Sequence, residues 1–130
     1  MKSVHQTITR PPRGNCFAAC VASILELSLD EVPNFIEQDD WYGAAQQWLE
    51  PFNLHLVSWS SPGVGDAKGY MIIQVDSFHG DWGHVVVGLD GRIIFDPNPE
   101  SAGKRHEDYQ IKGYTMFVTL DPARPVVRPK

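Results

Sequence analysis

With 130 residues, 42% of them apolar and fourteen aromatic, the chain is long enough for one packed core and too short for two comfortable domains. A formal charge of -5, with seven acids and no lysine or arginine between positions 26 and 50, argues against the basic footprint of a nucleic-acid binder. No apolar run approaches the roughly 20 residues of a membrane-spanning helix, and MKSVHQTITRPP lacks the apolar middle of a secretion signal, so a soluble, cytoplasmic protein with no membrane partner is expected.

In chain order, VHQTITRPPRGN (4–15) reads as extended chain and loop, because Pro11 and Pro12 cannot donate backbone hydrogen bonds and Gly14 permits a tight turn. A first helix is predicted from an N-cap at Asn15 to about Leu27, with alanines and Ser23 leaving room for something to pack close. SLDEVPNF (28–35) predicts a second, short helix: Ser28 and Glu31 form a capping box and Pro33 marks a stop or bend. DDWYGAAQQWLEPF (39–52) predicts a third, capped by Asp39 or Asp40, with Trp41, Ala45, Trp48 and Leu49 on one stripe and Pro51 at its end.

From Leu54 the period changes. LHLVSW, YMIIQV, HVVVGL, RIIFD and YTMFVTL are short segments rich in β-branched and aromatic residues, divided by glycine, proline, serine and aspartate. Helices followed by strands imply an α+β fold with an antiparallel sheet. The stretches 60–69 and 97–113 are polar enough to read as loops, and DPARPVVRPK (121–130) reads as an extended or frayed tail to a single domain spanning 1–120.

The segment HVVVGLDGRIIFDP (84–97) contains Asp90-Gly91, a strong hairpin signal. A two-residue loop would put His84 and Asp96 on opposite faces. A three-residue loop, with Gly91 in the left-handed position of a bulge, sets them directly across from one another. It also gathers Val85, Val87, Ile93 and Phe95 on one wholly apolar face, and this cleaner segregation favours the three-residue register. In that register a carboxylate is placed to orient an imidazole.

Cys16 stands at the mouth of the first helix, where unpaired N–H groups and the helix dipole favour negative charge on a thiol. Joined by His84 and Asp96 it would make a nucleophile, a base and an orienting acid, the set that activates a thiol for acyl transfer. The Cys16 N–H is a candidate donor to the developing oxyanion, with a side-chain amide as the second: Gln6, or its rival Asn15. His79 and Trp82, in the loop leading to His84, are candidates for the wall of a substrate groove.

A glutamine upstream of a GNC turn, a small-residue helix after the cysteine, and the later GHVVVGLDGRIIFDP together resemble the papain-like cysteine peptidase superfamily. The chain is most similar there to the compact bacterial branch of bacteriocin-processing, double-glycine-leader peptidases and their stand-alone relatives, from about Gln6 to Pro97. The resemblance implies a papain-like fold, with N-terminal helices packed on a C-terminal, partly barrelled sheet. It implies Cys16 as nucleophile, His84 as general base, Asp96 as its orienter and Gln6 as oxyanion donor. The implied activity is hydrolysis or transfer at a peptide, isopeptide or amide bond of a peptide or protein substrate, through a thioester and with no metal or organic cofactor. A Phe17 stands after the cysteine where many relatives have glycine or tryptophan.

Blander readings stand beside this one. A cysteine on a small-residue helix is more often core than catalyst, and Cys20, one turn further in, is read as packing. Zinc ligation by Cys16, Cys20, His84 and Asp96 is the chemical competitor, although the cysteine spacing is not that of a structural zinc site. Two non-enzymatic alternatives remain: an inactive module of the same fold that grips a peptide, and an interaction protein whose acidic helical half meets a basic partner.

Overall fold

A computed structural model of the chain describes residues 1–9, 14–60 and 67–127. The Pro11-Pro12 stretch, most of the 60–69 loop and the last three residues of the tail lie outside the described residues. Two helices come first, α1 (Cys16–Leu25) and α2 (Trp41–Leu49), followed by strands β1 (Leu54–Ser60), β2 (Tyr70–Asp76), β3 (Gly83–Leu89), β4 (Arg92–Phe95) and β5 (Ile111–Thr119). Short 3-10 turns fill several connections, among them Leu29–Glu31, where the Ser28 N–H donates to Glu31 Oε2 at 3.0 Å as the capping box requires.

Seven of the ten α1 residues are buried, so the helix is enclosed rather than laid on a surface. Its alanines make that enclosure possible: they lose little side-chain entropy and let α1 approach β3 closely. The helix stops at Glu26, which turns into the left-handed region at φ 60° and donates its N–H to the Ala22 carbonyl. Asn15 occupies the N-cap position but does not cap with its side chain, contrary to expectation. Its Oδ1 instead accepts from the N–H groups of Thr7 and Ile8, at 3.0 and 2.9 Å, and fastens the N-terminal arm to α1. The cap of α2 is Asp40, whose carboxylate accepts from the Gly43 N–H at 3.1 Å.

The sheet runs β1-β5-β2-β3-β4, every neighbouring pair antiparallel. It is open, with β1 and β4 as its two edges, so the expected partial barrel is not formed. β5 returns from the end of the chain to lie between β1 and β2, and among the described residues no pairing joins β4 back to β1.

Both sheet faces are apolar, and each has its own core. On one side α1 and α2 bring Val21, Ala22, Ala45 and Leu49 onto Leu56, Ile72 and Val87. On the other, Met71, Ile73, Val75 and Val86 pack with Tyr109 and Tyr114. Strand alternation explains the division: Ile72 and Val87 point one way, Ile73 and Val86 the other. Each fully buried Leu or Ile in these clusters stabilises the fold by roughly 1.5–3 kcal/mol.

The β3–β4 hairpin corrects the expected register. Leu89 pairs with Arg92, so the turn is the two-residue Asp90-Gly91, with φ 53° and 84°. Positive φ at both central positions is the turn whose twist matches that of the strands. The register then shifts: Gly88 pairs with Ile93 but Val87 with Phe95, leaving Ile94 as a bulge, 47% exposed. Ile93 therefore joins the second core while Phe95 packs against the first, and the two do not share a face.

Residues 97–113 are less of a loop than their polarity suggests. They form two 3-10 turns, Pro99–Ser101 and His106–Asp108, and then enter β5 at Ile111. The tail is not frayed through residue 127. Asn53, buried at φ 61°, turns its Nδ2 toward the carbonyls of Asp121, Arg124 and Pro125 and accepts the Asp121 N–H on Oδ1 at 2.9 Å. The Val127 N–H reaches the Phe52 carbonyl at 3.0 Å.

Candidate active site

A cleft of about 420 Å³ opens between the start of α1 and the adjoining ends of β2 and β3. Cys16, the first residue of α1, lines it and is partly exposed. Cys20 is wholly buried one turn deeper; burial, then the charges of Cys16 and Asp96, push its thiol pKa well above the ordinary value. His84, second in β3, lines the same cleft, beside the sulfur.

The imidazole is held by Asp96. His84 Nε2 lies 2.7 Å from Asp96 Oδ1, and the two side chains are only 8% and 7% exposed. With Nε2 committed to the carboxylate, Nδ1 is the ring nitrogen left for another partner. The bulge at Ile94 makes this pairing possible. It restores the parity that the two-residue turn removes, so His84 and Asp96 come to the same side despite the unexpected register.

Both oxygens of the carboxylate are engaged. Oδ1 also accepts the Asn98 N–H at 2.8 Å, and Oδ2 accepts the Tyr109 hydroxyl at 2.8 Å. Burial disfavours the Asp96 charge, but the bond and charge of His84 and the donors of Asn98 and Tyr109 outweigh it and lower the carboxyl pKa. For His84, burial likewise opposes the charge. The Asp96 bond, the neighbouring Cys16 sulfur and the charges of both prevail, and the pKa is pushed up to about 9.

Gln6 lines the cleft and is buried. Its backbone N–H donates to the Pro97 carbonyl at 2.9 Å, tying the arm to the residue after Asp96. Its Nε2 donates to the Ile8 carbonyl at 2.9 Å, which leaves one amide hydrogen for another acceptor, while Oε1 is buried with no hydrogen-bond partner among the described residues. The Cys16 N–H lies in the first turn of α1, where no intrahelical acceptor exists.

Trp82 lines the cleft, with Phe17, Ile36 and Trp41 forming other apolar parts of its wall. Asn15 and His79 do not line it. Asn15 spends its amide on the arm, its Nδ2 lying 3.0 Å from Thr7 Oγ1, and His79 Nε2 lies 3.2 Å from Ser101 Oγ. The remaining histidines have structural neighbours: His5 packs edge-on against Phe95, Gln46 faces His55, and His106 Nδ1 accepts the Ile93 N–H at 3.0 Å.

Sequence patterning missed two kinds of site residue. Tyr109 and Asn98 lie in the polar stretch after β4, which has no period to read. Lys112 lies between the β5 residues paired with Gln74 and Val75, a bulge that places it in the cleft wall with Asp76, its Nζ 3.5 Å from Asp76 Oδ2. Among the described residues no group of three or more His, Cys, Asp or Glu side chains is arranged to hold a metal ion, and no helix is long and apolar enough to cross a membrane. No family model, curated protein or solved structure matches the chain.

Proposed function

We propose that the protein is a cysteine-dependent hydrolase or acyltransferase acting on a peptide, isopeptide or amide bond, with the chemistry of papain-like cysteine peptidases. The reading rests above all on the buried 2.7 Å contact of Asp96 with His84, whose ring lines the cleft that also presents Cys16. A base whose second nitrogen is steadied by a carboxylate, beside a thiol at a helix start, is the arrangement that nucleophilic acyl transfer needs.

In the proposed reaction the His84 imidazolium, held charged by its pKa of about 9, pairs with the Cys16 thiolate, and the sulfur attacks the carbonyl carbon. The oxyanion that forms faces the Cys16 N–H and the spare Gln6 amide hydrogen. The imidazolium, stabilised by Asp96, then protonates the leaving amine as the carbon–nitrogen bond breaks. Water or a second nucleophile, deprotonated by His84, releases the acyl group from the thioester and restores the thiolate and imidazolium. The apolar part of the cleft wall, Phe17, Ile36, Trp41 and Trp82, suits an apolar side chain beside the scissile bond.

Iodoacetamide labelling followed by mass spectrometry tests this without knowledge of the substrate. Near neutral pH Cys16 should label at least tenfold faster than Cys20, and His84→Ala should remove most of that advantage. Cys16→Ser should abolish turnover of a fluorogenic peptide while leaving the thermal transition in place. Equal, slow labelling of both cysteines would instead favour a module that grips a peptide without cleaving it.

A further inference from the structure

We infer that Tyr109 is a positioning residue for this chemistry, its hydroxyl holding the Asp96 carboxylate charged and turned toward His84. The inference rests on the proposed reading of the cleft and extends it to a residue outside the cleft lining. A carboxylate bonded through one oxygen can rotate about its last torsion. Here Oδ1 is fixed by the Asn98 N–H and Oδ2 by Tyr109 Oη, so the plane is pinned from both ends and only one orientation presents Oδ1 to the imidazole.

The ring itself is held. Tyr109 is 8% exposed, and Phe78 packs against it edge-on with centroids 4.9 Å apart. Phe78 belongs to the β2–β3 connection that also carries Trp82 to the cleft, and His79 of that connection reaches Ser101. Substrate wall and acid support thus share one packed unit. A phenylalanine would satisfy the packing; the hydroxyl adds a donor where the carboxylate has an open oxygen. Burial, the bond to Asp96, and the charges of Asp96 and Asp108 all raise the Tyr109 pKa, so the group stays a donor through neutral pH.

Other titratable groups surround the acid. Cys20 faces it from α1 and His84 from β3, Asp108 lies near the Tyr109 hydroxyl, and His5, Lys104, Arg105 and His106 ring the small cavity that Asp96 and Tyr109 also line. Among the described residues, His84 and Tyr109 are the side chains that hydrogen-bond the carboxylate.

Tyr109→Phe in the full chain tests the role, because it removes one oxygen and keeps the ring. Two measurements are made across pH 3 to 10: carbon NMR of the Asp96 carboxyl, and the rate of Cys16 alkylation with Cys20 as internal control. Removing the donor should raise the carboxyl midpoint by about one unit, and the acid limb of Cys16 alkylation should move up with it while the alkaline plateau stays. An unmoved carboxyl midpoint would overturn the inference, and so would a shifted carboxyl with an unmoved alkylation limb, which would make the hydroxyl merely structural. Wild-type Cys16 labelling no faster than Cys20 would remove the thiol chemistry itself, a failure visible before the variant is made.

Discussion

The two ends of the β3–β4 hairpin each hold a pair of opposite charges, and they are built differently. At the open end His84 and Asp96 are shielded from water, and the carboxylate accepts two further donors from the stretch that follows β4. At the tip Arg92 meets Glu107 with side chains 64% and 55% exposed. An exposed pair is screened and gives up side-chain freedom to form, so it fixes little. A shielded pair costs more to assemble but resists leaving either partner alone, so it can hold an imidazole in one orientation. The stretch after β4 supplies donors to Asp96 and an acceptor to Arg92, and depth decides which contact holds its side chains fixed.

The largest expected effect comes from breaking the deep pair. Asp96→Ala strands a buried histidine and should destabilise the fold by about 3–5 kcal/mol in urea denaturation, with loss of selective Cys16 alkylation. The pH dependence of stability sharpens the same point. The His84 pKa rises from 6.5 to about 9 on folding, so its contribution is full below pH 6.5 and is lost as the pH climbs through 9. The Asp96 pKa falls below its ordinary 3.8, so its contribution is present above that value and is lost as the pH drops through the depressed one. Urea midpoints should therefore be highest between about pH 4 and 6.5, and the alkaline decline should disappear in His84→Gln.

At the tip the effects are smaller. Gly91 sits at φ 84°, where a side chain is strained, and Gly91→Ala should cost about 1 kcal/mol in the same assay. Arg92→Ala should leave the urea midpoint unchanged within error at 0.5 M salt, where exposed charges are screened. A clear loss there would mean that the exposed pair is as well determined as the buried one, and the contrast between the two ends would collapse.

Local chemistry made much of this fold legible. The small residues of 16–25, the Asp40 cap and the five apolar stretches each announce an element through propensity or period, and the structure places elements there. Pairing across distance was less readable. The insertion of β5 between β1 and β2, which keeps the sheet open, is set by contacts between residues some sixty apart that no window registers. The hairpin shows a finer limit. His84 and Asp96 do share a side, but through a two-residue turn and a bulge at Ile94 rather than through the three-residue loop that apolar patterning favours. An uninterrupted alternation had to be assumed, and a single extra residue restores the same parity by another route. Cys16 at a helix start and Trp82 before a strand were readable from their positions, whereas Gln6 was one of two candidate amides; all three line the cleft. Tyr109 was not, because nothing in a polar, aperiodic stretch distinguishes an aromatic that packs from one that also donates.

Asn53 sets a boundary for anyone shortening this chain. Its side chain is buried, and its amide faces three carbonyls that arrive only with residues 121–125. A version ending after Thr119 would remove those acceptors and the Asp121 N–H that bonds Asn53 Oδ1, at a cost on the order of 1 kcal/mol per lost bond at the edge of β1. Trimmed versions that bind or react poorly would then report a loosened edge strand rather than a damaged thiol site.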